Sequence, residues 1–288
     1  MISGNFYRIT SSELQRLKDV ELDILKKVIS VIEGLKLNYF AVGGTALGAY
    51  KYSGFIPWDD DIDIAMPRTD FMRFIEEAPK LLPNYLTLQS VYNDKNYTLG
   101  VAKVRDERTT FFDIYTAHQN VSHGIFIDIF PIDFYKIKMP NKSLIYKMRE
   151  NKIAFSNYYK PECVSFKNRI TAFICKIFLF FESPHKCALL NDRYLSKISA
   201  KNFDSEKSFM RIEEHLSYFF AGVKYLKFCD INIRVPNKIE EYLLRCYGDV
   251  KIDPPVDKQY PHHFLLKLDF LKPYHCYKFE NGKVILRQ

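Results

Sequence analysis

Apolar residues recur at a helical interval near the start of the chain, with Leu14, Leu17, Leu25, Val28, Ile29 and Ile32 on one face. Thr10 and Glu13 have the spacing of a capping box, and Gly34 is a natural stop, so the pattern predicts a helix over 10–34. The apolar run Tyr39 to Val42 predicts a strand that feeds directly into Gly43, Gly44 and Thr45. A short helix over 46–52, a turn at 54–58, a strand over 61–66 and a helix over 68–82 follow. Alternation predicts further strands over 97–105 and 124–130. This order of helices and strands predicts an α/β or α+β chain, and α+β is the class taken.

The texture changes from about Pro140 to Phe228. Glycine nearly vanishes and Lys, Phe, Tyr and Leu dominate, which predicts a mostly helical insert. The expected division is therefore 1–139, 140–230 and 231–288. In the last segment a strand over 231–235 and a helix over 237–246 precede Pro254-Pro255, where an irregular exposed tail is expected. The most apolar stretch, Ile170 to Phe181, carries Lys176 within it and is shorter than the roughly 20 residues needed to span a bilayer. A buried core helix is the preferred reading; a helix lying in a membrane interface, flanked by Lys167 and Arg169, is its rival.

Charge narrows the partners. The formal net charge is +8, which suits nucleotides, phosphorylated glycans or anionic membrane. No run of five Lys or Arg and no nucleic-acid signature occurs, so no nucleic-acid partner is expected. Six cysteines without a CxxC pair fit a reducing compartment better than a disulfide framework. The first residues lack the apolar region of a signal peptide, and the expectation is a cytoplasmic protein, peripheral at the inner membrane face.

The chemistry concentrates in Gly43 to Met66. On a strand Asp61 and Asp63 face one way, while Ile62 and Ile64 pack into the core. Two carboxylates so close raise one another's pKa, and a divalent cation relieves the repulsion; oxygen ligands favour Mg²⁺ or Mn²⁺. Water-facing acids at a strand end would explain one Asp, not four within five positions. Gly43, Gly44 and Thr45 let backbone N–H groups approach a phosphate ahead of a helix N-terminus. Asp128 stands alone among apolar residues in Gly124 to Pro131 and is the candidate third carboxylate, a ligand or catalytic base, with Asp133 as its fallback. Lys103 and Arg105 alternate on one strand face, and Arg68 follows the acidic strand. These three, with Lys51, are candidates for neutralising a phosphate; a solvated strand face accounts equally for Lys103 and Arg105.

The stretch GGTALGAYKYSGFIPWDDDIDIAMPR resembles the signature of the LicD family. KVRDERTT, GIFIDIFPID and VPNKIEEYLLRCYGDVKIDPP resemble the family's later blocks in the same order, while 140–230 carries no usable likeness. The resemblance implies a nucleotidyltransferase-like catalytic core with a small mixed sheet flanked by helices, and a last segment that returns to the active site. It implies a CDP-alcohol donor such as CDP-choline, and a hydroxyl of a glycan or lipid-linked glycan as acceptor. By family pattern Asp61 and Asp63 bind the metal and Asp128 is the third acid, whereas the roles of Asp59 and Asp60 stay open. Tyr247 to Asp249, His262 and His263 are candidates for shaping the pocket. Two other readings stand beside this one: a nucleotidyltransferase that adds NMP from an NTP, and an inactive scaffold of a glycan-assembly complex.

Overall fold

Thr10 begins the first helix as its spacing predicts: its side chain accepts the Glu13 N–H, and Glu13 reaches back to the Thr10 backbone. The computed structural model describes residues 7–135, 143–157, 166–201, 207–210 and 213–287. Helix α1 covers Ser11–Gly34, and its buried stripe packs on the central sheet. Strand β1 (Phe40–Ala41), helix α2 (Gly43–Tyr52), strand β2 (Asp63–Pro67) and helix α3 (Arg68–Glu77) follow, close to expectation. Strand β3 (Leu86–Gln89) was not expected. Strands β4 (Ala102–Asp106), β5 (Thr110–Asp113) and β6 (Ile125–Tyr135) complete the first part.

Among the described residues the main sheet runs β1-β2-β6-β4-β3, and the far end of β6 also carries β7 (Lys207–Met210), which pairs β8 (Glu213–Leu216). Its pairs are antiparallel except β2 with β6, which are parallel. The sheet is thus mixed and the chain α+β. Period-two alternation sends Ile125, Ile127 and Ile129 to the core face and Phe126 and Asp128 to the other. The core joins this sheet to α1, α3 and helix α7 (Ile239–Tyr247).

The segment expected to be mostly helical is helical only at first. Helices α4 (Leu144–Ser156), α5 (Phe166–Phe178) and α6 (Pro184–Lys201) give way to β7, β8 and a hairpin of β9 (Val223–Phe228) with β10 (Ile231–Pro236). The expected boundary at 139/140 lies outside the described residues. The preferred reading of Ile170 to Phe181 as a core helix is overturned: Cys175 and Leu179 are buried, but most of its large apolar side chains are exposed. The expected irregular tail is also corrected. Strand β11 (Leu265–Asp269) pairs β5, and β12 (Tyr277–Glu280) forms a hairpin with β13 (Lys283–Leu286). No described helix is long and apolar enough to cross a membrane.

Candidate active site

Register brings the acids together. Asp63 on β2 lies opposite Asp128 on β6, and Asp128 lies opposite Lys103 on β4, so three side chains form a row on one sheet face. Lys103 Nζ sits 2.7 and 2.8 Å from the two Asp128 oxygens and 3.5 Å above the Phe126 ring. Strand β2 begins at Asp63, not Asp61 as expected, so Asp61 belongs to the preceding loop. That loop is held from both sides. Lys18 on α1 donates to the carbonyls of Ile56 and Pro57 at 2.9 and 2.8 Å. Asp60 accepts the N–H groups of His262 and His263 at 2.9 and 3.1 Å, and the His263 ring lies 3.4 Å from it. One oxygen each from Asp59, Asp60 and Asp61 lies within 4.8 Å of the others, and among the described residues no other trio is drawn that tightly.

The double glycine makes room for carboxylates. Helix α2 starts at Gly43, one turn earlier than expected, with Gly43 at φ 56°. A Cβ on Gly44 would fall 2.5 Å from Asp59 Oδ2, and one on Gly43 would fall 3.3 Å from Asp63 Oδ2. The helix's positive end therefore meets one buried acid, Asp59, and one half-buried acid, Asp63. Thr45 Oγ1 accepts the Asp63 N–H at 2.8 Å, and Tyr242 Oη accepts the Gly43 N–H at 3.1 Å. Thr45 is thereby a support for Asp63, since its hydroxyl is spent on the strand.

Burial and like charge together raise these acids. Burial, then Asp60, lifts Asp59 to about 6. Burial, then Asp59, lifts Asp61 to about 7. Burial, then Asp61 and Asp128, carries Asp63 well above the carboxylate range. Burial also pushes Asp60 upward, but the hydrogen bond and charge of His263 and the two backbone N–H groups outweigh it, and its pKa is lowered. Glu21 on α1 is buried behind them and is raised by burial and then by Asp61; its Oε2 has no hydrogen-bond partner among the described residues.

Asp59, Asp61 and Asp63 form the floor of a cleft of about 570 Å³. Trp58, Tyr52 and Tyr247 line it, and the wall after α7 carries Asp249, Val250, Asp253 and Lys258. Lys51 pins that wall to α2, through the Val250 carbonyl at 2.8 Å and Asp253 at 2.6 Å. Asp128, Lys103 and Arg105 are not among the lining residues.

All four expected phosphate-neutralising cations are engaged by the protein itself: Lys51 by the cleft wall, Lys103 by Asp128, and the two arginines farther away. Arg68 is buried between Asp133 at 2.6 Å and Asp192 of α6 at 3.0 Å, so Asp133 is its partner and neither reaches the cleft. Arg105 donates to Gln89 Oε1 at 2.8 Å and the Gly124 carbonyl at 2.9 Å, with Phe126 beneath it. Their partners are distant in sequence, which spacing alone does not reveal. Sequence reasoning missed Lys18 and Glu21, although both interrupt the apolar stripe of α1 and so carried a signal.

The chain matches the family model described as LicD/FKTN/FKRP, nucleotidyltransferase domain, over residues 36–169. It is 30% identical over 258 residues to the lipopolysaccharide cholinephosphotransferase LicD of Haemophilus influenzae, covering 84% of this chain and 92% of that one. It is 27% identical over 198 residues to an uncharacterised protein of Rickettsia typhi (68% of this chain, 57% of that one). A second one, from Rickettsia prowazekii, is 24% identical over 156 residues (54% and 53%).

Proposed function

Because the chain belongs to the LicD family, we propose that it is a metal-dependent phosphotransferase moving phosphocholine, or a similar phospho-alcohol, from a CDP-alcohol to a glycan hydroxyl. The name of the Haemophilus relative favours phosphocholine as the group moved and a lipopolysaccharide-type glycan as acceptor; CDP-choline as donor, and a lipid-linked glycan as a further acceptor, follow from the resemblance of the motifs alone. The site of action is the cytoplasm. The observation that carries this reading is the register of β2 on β6, which sets Asp63 beside Asp128 at the edge of a floor already holding Asp59 and Asp61.

The donor set fits a divalent cation. It offers hard oxygens of one sign; burial and mutual repulsion disfavour the ionised forms of Asp61 and Asp63, and a cation reverses that. We assign Mg²⁺ or Mn²⁺ to Asp61, Asp63 and Asp128; when bound it neutralises charge on the donor's pyrophosphate. Without it, a pyrophosphate entering this acidic floor would be repelled.

The chain's own groups do the remainder. Lys103 balances Asp128 and keeps that acid in the row. Gly43 and Gly44, lacking side chains, leave room for Asp63 and Asp59 and so hold these acids at the positive end of α2. Lys258 at the rim adds attraction for the donor's pyrophosphate. Asp59, raised to about 6 and facing the cleft, accepts the proton from the acceptor hydroxyl. The acceptor oxygen bonds to the phosphorus as the bond to CMP breaks, and CMP leaves.

The test follows CMP and pyrophosphate from CDP-alcohols and NTPs with Mg²⁺ or Mn²⁺, using Asp61→Asn and Asp63→Asn as controls. CMP from a CDP-alcohol, lost in both variants, is the expected result. Pyrophosphate from an NTP would make it a nucleotidyltransferase instead. Failure to bind any donor in calorimetry would leave the scaffold reading.

A further inference from the structure

Helix α5 turns its apolar side outward. Phe173, Phe178 and Phe181 are 64%, 75% and 88% exposed, and Ile174, Ile177 and Phe180 are exposed beside them. At 100° per residue these positions span one broad face of the helix and its last turn, opposite Cys175 and Leu179. Those two are buried against α4, so the helix is already docked by its other side. Its end is tied as well: Arg149 of α4 holds Glu182 at 2.7 and 2.9 Å, and Lys152 donates to the Leu179 carbonyl at 2.7 Å. Leu144 and Ile145, at the start of α4, are exposed too. Apolar surface this continuous marks an interaction site.

We propose that this face of α5, with the start of α4, docks on an anionic lipid bilayer. Charge identifies the occupant. Arg169 and Lys176 are exposed and seven residues apart, so they run along one border of the apolar face. Lys147, one turn beyond Leu144, is exposed as well. Among the described residues, the acids nearest in sequence, Glu150 and Glu182, are engaged by Asn191 and Arg149. A basic border around an apolar face suits anionic headgroups over acyl chains. It suits a second copy less, because a two-fold contact brings identical borders together on a chain of net charge +8. With 13 residues, α5 is too short to cross and would lie in the interface plane.

The full chain is sedimented with vesicles of phosphatidylcholine alone or containing phosphatidylglycerol. Binding to the anionic vesicles is expected, and salt should weaken it. Phe178→Glu with Phe181→Glu, at sites exposed enough to leave the fold intact, should weaken binding at least about tenfold. Arg169→Glu with Lys176→Glu, which spares the apolar face, should do so by about tenfold or more. Circular dichroism checks that the variants are folded; if the Phe pair is not, the charge pair decides. No sedimentation of the parent, or equal sedimentation of a folded variant, overturns the proposal. So does light scattering that shows a dimer dissociated by the Phe variants without vesicle binding, which would make this face a contact between copies.

Discussion

Two buried clusters of charge lie within this fold, and they are built on opposite terms. Around Arg68 every charge has a partner: Asp133 and Asp192 take the guanidinium from two sides, and the Tyr92 hydroxyl donates to Asp192 at 2.5 Å. That network joins α3 and β6 to α6 and has no opening to the cleft. On the cleft floor the charges do not balance. Asp59, Asp61 and Asp63 crowd together, with Lys18 behind their loop spent on carbonyls and Lys103 spent on Asp128. A buried cluster whose charges are all paired holds elements together; one left unpaired and open to solvent is poised for a missing partner of opposite sign.

The largest separation between the clusters should come from removing one charge from each. Arg68→Met strands two buried carboxylates and should cost about 3–5 kcal/mol of stability, read by denaturant unfolding. Activity per folded molecule should survive, because Arg68 does not line the cleft. Asp63→Asn should do the reverse. Metal-free stability at neutral pH should hold or rise, since an amide removes the repulsion, while transfer should fall by several kcal/mol of barrier, on the order of 10³-fold. If Asp63→Asn destabilises the protein as Arg68→Met does, the floor is structural and the comparison fails.

A smaller effect should separate the clusters by pH. Asp61 and Asp59 have folded values near 7 and 6, above the roughly 4 of an unfolded chain. A carboxyl raised on folding binds its proton more tightly in the native state. Below about pH 4 both states hold the proton and the term vanishes; between about 4 and 7 the unfolded state releases it first, so stability falls as pH rises. Thermal melts in chelator should therefore drop across this window, and the gain from added Mg²⁺ or Mn²⁺ should grow across it. A melting temperature that rises from pH 5 to 7 without metal would contradict the raised acids. Arg68→Met should leave the slope attributed to the floor in place.

The two clusters also differ in how far the sequence disclosed them. Asp61 and Asp63 are neighbours in sequence, in an apolar frame, so local spacing exposed them. The helix cap at Thr10 and the alternation of β6 were equally local. The sequence position of Arg68 suggests a phosphate ligand, whereas its partners come from β6 and from α6, a contact made only by tertiary packing. The parallel register of Asp63 with Asp128 was likewise invisible, since nothing in period-two alternation says which residue of a distant strand will lie alongside. Glu21 and Lys18 are legible in the sequence: each puts a charge where the stripe of α1 calls for an apolar residue. The exposed face of α5 failed for the converse reason. Apolar content reports a wish for burial without saying against what.

The finest discrimination within the floor falls on the double glycine, expected from sequence to serve a phosphate. Its geometry makes it first a seat for carboxylates, and Gly44→Ala tests that. The added methyl would stand 2.5 Å from Asp59 Oδ2, so the carboxylate must shift. Gly34→Ala at the end of α1 meets nothing within 4 Å and is the control. If Asp59 takes the acceptor proton, Gly44→Ala should lower turnover by about 10²-fold, the scale of misplaced general-base catalysis, and leave donor affinity in calorimetry within about threefold. If the glycine mainly cradles phosphate, affinity should collapse with turnover, because the methyl would block the donor. The split between turnover and affinity therefore decides whether the turn at the head of α2 acts through its acids or through its own backbone.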